Sequence, residues 1–358
     1  MVATEDPYDG RSLEMSAPEW RPVGARTRRQ IRYLRSVPRP RWPGYTAFVL
    51  SGGGARGALQ VGALRALLEH GEHPDVVVGT SIGAWNGAWI ARDPSPEGLA
   101  ALDAAWREIR PAQVLLGRDL PSSYALRALK SLLLLTAGRR LARGAPSLYS
   151  EAGQRALLER HMHGVTFDDM RLPLRIIATD ISNGRRVAFG AGFVIPAVLA
   201  SSAIPGVFPP VRIGDAFYTD GDMLDACSIQ AALDLGARRL IILAIGHDTD
   251  ADGGAAWRAR SGSGEQIGQS TNSTTPGIAA VLERAAQVLS RYSLERAIER
   301  VPRGIEVHLI CLSTGDGAGM LDFNNTPAWI ERGYETAREY LQAALPRHDR
   351  PDRTASAG

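Results

Sequence analysis

The sequence predicts a three-layer α/β/α fold built on a mainly parallel central sheet. Three observations predict it. Two short apolar runs, Ala47-Phe48-Val49-Leu50 and Val76-Val77-Val78, each lead through a glycine-rich turn into a helix-compatible stretch, the strand–turn–helix unit of α/β proteins. Further runs at Leu240–Ile245 and Ile305–Leu312 read as buried strands. Helical patterns alternate with these strands along the chain. The 358 residues suffice for one large α/β domain with flanking segments. Its expected divisions are an arm over 1–44, a domain over 45–346 and a disordered tail over 347–358.

The arm is defined by its charge. No acidic residue lies between Glu19 and Glu69, while Arg21, Arg26, Arg28, Arg29, Arg32, Arg35, Arg39 and Arg41 crowd the approach to the first strand, with Trp20, Tyr33 and Trp42 among them. Such a segment either lies on an anionic membrane surface or wraps its own domain. Met1 to Glu19 has early acidic residues and no apolar core, so it reads as neither a secretory signal nor a typical transit peptide.

After the first strand comes Ser51-Gly52-Gly53-Gly54-Ala55-Arg56-Gly57, then a helix pattern through Leu59, Ala63, Leu64, Leu67 and Leu68 that stops near Gly71. A glycine-rich strand-to-helix loop exposes N–H groups able to hold an anion. Gly52, Gly54 and Gly57 also fit the spacing of a dinucleotide fingerprint. That reading needs an acid closing the second strand, and Asp75 precedes it instead.

The second strand runs into Gly79-Thr80-Ser81-Ile82-Gly83 and a helix over Ala84–Ala91. A sharp turn here lifts the Ser81 hydroxyl to the top of the sheet, with helix N–H dipoles close by. Gly98–Ile109 reads as helix, and Tyr124–Arg143 as a longer one. Its Leu132–Leu135 run, flanked by Arg127, Lys130, Arg139, Arg140 and Arg143, forms either a lid over a pocket or part of the core. Val211–Ile213 and Ala216–Tyr218 form a plausible hairpin around Gly214-Asp215, leading to Thr219-Asp220-Gly221-Asp222. Gly246–Gly277 is rich in Gly, Ser, Thr and Asp and reads as loop. Helices follow over Ala279–Arg300 and Pro327–Leu345.

Taken together, these segments resemble the patatin-like phospholipase family from about Tyr45 to about Ser228. The glycine-rich oxyanion loop of that family corresponds to Gly52–Gly57, and its G-x-S-x-G elbow to Gly79–Gly83. Its catalytic aspartate falls on Asp220, followed by Gly221. Ala200-Ser201-Ser202-Ala203-Ile204-Pro205-Gly206-Val207-Phe208-Pro209-Pro210 and the strand Pro173–Asp180 match two more of its blocks. The resemblance implies a serine lipid acyl hydrolase acting on phospholipids or lysophospholipids, without cofactor or metal. Ser81 would be nucleophile and Asp220 proton acceptor, with Gly52, Gly53, Gly54 and Arg56 around the oxyanion. Acyl transfer is an alternative outcome, and a catalytically weak lipid-binding protein is an alternative use of the scaffold.

One residue departs from the family pattern. Asp222 stands where glycine or alanine is usual. Its carboxylate either raises the Asp220 pKa by repulsion or points to solvent.

Other candidate sites lack partners. His70, His73, His161, His163, His247, His308 and His348 lie in no motif that supplies a triad base. His161-Met162-His163 has no accompanying ligand set, and Asp248–Gly253 has Ala259 where a calcium loop needs glutamate. Cys227 and Cys311 fit a reducing, cytoplasmic setting, with peripheral membrane contact expected only if the arginine-rich arm lies on lipid. A net charge of +3 gives no support for nucleic-acid binding. Oligomeric state leaves no mark in the sequence.

Overall fold

The computed structural model describes residues 45–117, 135–224, 228–246, 278–315 and 320–345. The arm, the tail, residues 124–134 of the expected lid helix and the expected loop beyond Gly246 lie outside these residues, as do Cys227, His247 and His348. Residues 135–142 are helical, in agreement with that part of the expectation.

Eight strands form one sheet: β1 (Thr46–Leu50), β2 (Val76–Thr80), β3 (Leu174–Asp180), β4 (Arg185–Phe189), β5 (Val211–Ile213), β6 (Ala216–Asp220), β7 (Arg239–Ile245) and β8 (Glu306–Leu312). Its order is β5-β6-β3-β2-β1-β7-β8, with β4 also paired to β3. The strands from β3 through β2, β1 and β7 to β8 are parallel. β4, β5 and β6 add an antiparallel side.

Alternation along each strand divides the core. Phe48 and Leu50 of β1 face one layer, while Ala47 and Val49 face the other. The larger layer holds α1 (Ala58–His70), α2 (Ile82–Arg92), α3 (Pro96–Glu108), α4 (Pro111–Leu116), α5 (Ala152–Met162), α6 (Val194–Ser201) and α9 (Thr326–Ala344). The smaller layer holds α7 (Ile229–Asp234) and α8 (Ile278–Glu299), seated through Ile229, Ala232 and Leu294. The three layers follow the sequence expectation. Elements α4 to α7 and β4 were not legible in it. α6, Val-Ile-Pro-Ala-Val-Leu-Ala-Ser, is buried along nearly its whole length and so carries no apolar–polar period.

β3 acts as a splint for the site. It pairs Thr80 of β2 at Ile177 and Asp220 of β6 at the next residue, Ala178. The ends of β2 and β6 therefore meet, and a Cβ on Gly221 would stand 2.8 Å from Thr80 Cγ2.

Candidate active site

Ser81 follows the last residue of β2 and precedes the first of α2, with φ 54° and ψ −123°. A left-handed φ at a serine is strained and needs support from its surroundings. Part of that support is the Ser81 N–H, which donates to Ser201 Oγ at 2.8 Å; Ser201 Oγ in turn donates to Ile177 O. Gly83 serves close approach, since a Cβ there would lie 2.3 Å from Leu50 O. The elbow is thus pressed directly onto the end of β1, beside the glycine loop. Ser81 itself is only 4% exposed.

The glycine loop is held from behind. Ser51 Oγ donates to Gly52 O at 2.9 Å, and Arg56 Nε donates to Gly53 O at 3.2 Å. In a trans peptide the carbonyl and the following N–H point in opposite directions. Fixing the carbonyls of Gly52 and Gly53 therefore turns the N–H groups of Gly53 and Gly54 the other way. Among the described residues no acceptor engages the N–H of either glycine. Gly54 has φ 61°, and a Cβ there would lie 2.2 Å from Met320 O, so the position demands glycine twice over. Arg56 belongs to this loop by the bond it gives to Gly53. Its side chain is buried and braces Gly53, with Gly246 close against its guanidinium.

Asp220 is 5% exposed, and the Ser81 side chain is among the groups that favour its ionised form. The Asp222 N–H donates to Asp220 Oδ1 at 3.0 Å. Burial pushes the Asp220 carboxyl up to about 6, against the lowering effect of the Asp222 N–H and Ser81 hydrogen bonds. The rise that sequence reasoning linked to repulsion by Asp222 thus has burial as its leading cause. Nor does Asp222 point into solvent. It is half-buried, and its Oδ2 packs on Gly52 so closely that a Cβ there would lie 1.8 Å away. The same Cβ would lie 3.1 Å from Ser81 Cβ. Asp222 therefore sits among the candidate site residues, between the aspartate turn and the glycine loop.

From Ser81 a narrow cavity of about 60 Å³ runs between α2, α5, α6 and residues 320–323, walled by Trp85, Leu157, Leu158, Val198, Phe208 and Phe323. Such a wall suits an acyl chain. No described histidine lines it. His161 packs on Trp89 with ring centroids 4.9 Å apart, and burial lowers its pKa. His308 contacts Glu306 and Tyr340, away from Ser81. Among the described residues no three metal-capable side chains gather. Asp75 accepts the Thr46 N–H at 2.7 Å, at the opposite ends of β1 and β2 from the glycine loop, so it is no ribose ligand for that loop.

Sequence reasoning missed three supports: Ser201, Ser51 and the bracing role of Arg56. Ser201 lay inside the Ala200–Pro210 block, the one signal that pointed toward it.

A family model described as patatin-like phospholipase matches residues 48–233. The lysophospholipase nte1 of Aspergillus terreus is 27% identical over 306 residues, which cover 82% of this chain and 18% of that protein. Patatin-like phospholipase domain-containing protein 7 of Rattus norvegicus is 30% identical over 209 residues, 58% of this chain and 14% of that protein. The chain thus spans less than a fifth of the length of these curated relatives. Among solved structures, VipD from Legionella pneumophila aligns with TM-score 0.43 at 15% identity, over 84% of this chain and 67% of that one.

Proposed function

This chain belongs to the patatin-like phospholipase family, and on that premise we propose that it hydrolyses acyl esters of phospholipids or lysophospholipids through Ser81 and Asp220. The observation that carries the reading is the strained serine at the strand–helix elbow, beside a buried aspartate at the end of β6.

Ionised Asp220 takes the Ser81 proton as Oγ attacks the ester carbonyl. The resulting oxyanion is received by the N–H groups of Gly53 and Gly54, whose peptides Ser51 and Arg56 hold from behind. Each such donor is worth about 2.7–4 kcal/mol in the transition state. Collapse breaks the ester C–O bond, and Asp220 returns its proton to the departing alcohol. Water then attacks the acyl-serine, giving up a proton to Asp220. The acyl C–Oγ bond then breaks, Asp220 returns the proton to Ser81 Oγ, and the fatty acid leaves. A carboxyl pushed up to about 6 suits both halves of this cycle, because a general base works best with a pKa near the working pH.

Hydrolysis of a lipid panel tests the reading, with Ser81→Ala as control. Turnover by wild type and none by the variant supports it; equal turnover by both refutes the site. One observation favours the weaker rival, a lipid-binding protein of little activity: the Asp222 carboxylate packed on Gly52. Folded wild-type protein that binds lipid but cleaves nothing in the panel would favour that rival.

A further inference from the structure

Helix α8 faces two ways. Its inner side closes the smaller layer through Leu294, with Ala297 and Ile298 on the same cluster. Its outer side carries Val281, Val288, Leu289 and Tyr292, exposed by 46%, 52%, 67% and 57%. Val281, Ala285, Val288 and Tyr292 recur at helical spacing along one line, with Leu289 beside it. The line is about 16 Å long. An apolar stripe turned to water marks an interaction surface, because a helix covering a sheet needs polar residues there.

The stripe borders the candidate active site. Glu283, in its second turn, accepts the Met320 N–H at 3.0 Å. Met320 O accepts the Ala55 N–H at 2.7 Å, and Met320 lines the cavity beside Ser81. α8 also packs on the Gly221–Met223 turn that follows Asp220, where Met223 and Leu224 are exposed by 57% and 47%. Charge matches this placement. Between Val281 and Tyr292 the sole carboxylate of the helix, Glu283, is engaged with Met320, while Arg284 flanks the stripe and Arg291 is paired with Glu295 at 2.8 Å. Tyr292 has the apolar body and polar tip that suit a boundary between hydrocarbon and water.

We propose that the outer stripe of α8, together with Met223 and Leu224, seats this protein on a lipid surface. The apolar side chains enter between head groups, and Arg284 meets lipid phosphates. The proposal rests on the lipid acyl hydrolase reading, which selects a lipid layer as the occupant. A lipid layer on this face would lie next to Met320, which lines the cavity beside Ser81.

The test compares the full chain with its Val288→Glu/Leu289→Glu variant on vesicles of phosphatidylcholine and phosphatidylglycerol. Three quantities are measured: vesicle co-sedimentation, hydrolysis of the vesicle phospholipid, and hydrolysis of a short water-soluble ester. Both proteins keep the arginine-rich arm, so its contribution cancels. Vesicle affinity should weaken about tenfold or more. Vesicle hydrolysis should fall in step while turnover of the soluble ester is unchanged. Arg284→Glu should weaken binding less, and its effect should shrink as salt is raised. Unchanged vesicle affinity in the double variant would overturn the proposal. So would a wild-type dimer that the double variant dissociates while vesicle binding persists. Should wild type cleave neither ester, yet bind vesicles in a way the double variant abolishes, the hydrolase reading would fail and the docking face would stand.

Discussion

At the start of β7, Arg239 and Glu72 are buried together as a two-pronged ion pair. Glu306 adds a second carboxylate at 3.3 Å from Arg239 Nε, and His308 Nε2 lies 2.5 Å from that same carboxylate. At the other end of the sheet Asp220 is just as deeply buried, but among the described residues no cation figures in the groups acting on it. Its neighbours are a serine hydroxyl and a backbone N–H. The first end matches a buried charge with an opposite charge. The second leaves its acid raised, beside a serine held at φ 54°. Strain and uncompensated charge thus gather at the end proposed to react, and compensation gathers where the fold is tied together.

Breaking the reactive end should give the largest effect. Ser81→Ala and Asp220→Asn should each lower kcat by several orders of magnitude, to similar levels, because paired catalytic groups act as a unit. Single alanine changes at His161, His163 and His308 should be mild by comparison. Steady-state assays on a soluble ester make this check. A folded histidine variant as inactive as Ser81→Ala would replace the dyad with a triad.

Breaking the tied end should cost stability instead. Glu72→Gln strands the Arg239 guanidinium in a buried setting, and removing one partner of a buried pair typically costs about 3–5 kcal/mol. Glu306 will recover a part of this. Thermal or urea unfolding should register the loss, while kcat of the remaining folded protein stays near wild type. Loss of kcat without loss of stability would undo the contrast between the two ends.

Asp220 sharpens the contrast, because the same substitution should act in opposite senses on activity and stability. Its carboxyl moves from an ordinary 3.8 to about 6 on folding. The folded state therefore favours the protonated acid. The contribution of Asp220 to stability is greatest below pH 3.8 and is lost as pH rises through about 6. At pH 7.5 Asp220→Asn removes a buried charge, so it should stabilise the inactive protein by about 2–3 kcal/mol. The same pKa governs catalysis. Only ionised Asp220 can take the serine proton, so kcat/KM should fall tenfold per pH unit well below about 6. A destabilised asparagine variant would mean that the Asp220 charge is compensated after all.

The reactive end was the more legible in sequence, for a physical reason. Gly52, Gly54, Gly79, Ser81 and Gly83 serve a turn that a short stretch of chain must make, so its residue types are set locally. The supports are different. Ser201 reaches Ser81 across 120 residues, and the Arg239–Glu72 pair closes across 167. Nothing near either in sequence announces its partner. Arg56 was recognisable as part of a motif, but which atom it served depended on where its guanidinium came to rest. Three layers followed from buried runs and intervening helices. The walls of the cavity did not, because α5 packs a mixed surface and α6 is apolar on nearly every side.

Asp222 gives the smallest expected effect and the finest test of the comparison. Two of its groups lie where they can bear on Asp220 in opposite senses. Its N–H donates to Asp220 Oδ1 and lowers the pKa. Its carboxylate, turned toward Gly52 and Ser81, opposes a second negative charge nearby. Asp222→Ala keeps the N–H and removes only the carboxylate. The acid limb of kcat/KM should therefore move to lower pH by about half a unit or less, with little change near neutrality. A larger shift would show that repulsion contributes as much as burial, making the reactive end a coupled pair of acids. A superimposable limb would leave burial as the whole cause. Asp220 would then be raised simply because this end of the sheet, unlike the end that holds Arg239, buries a carboxylate with no cation beside it among the described residues.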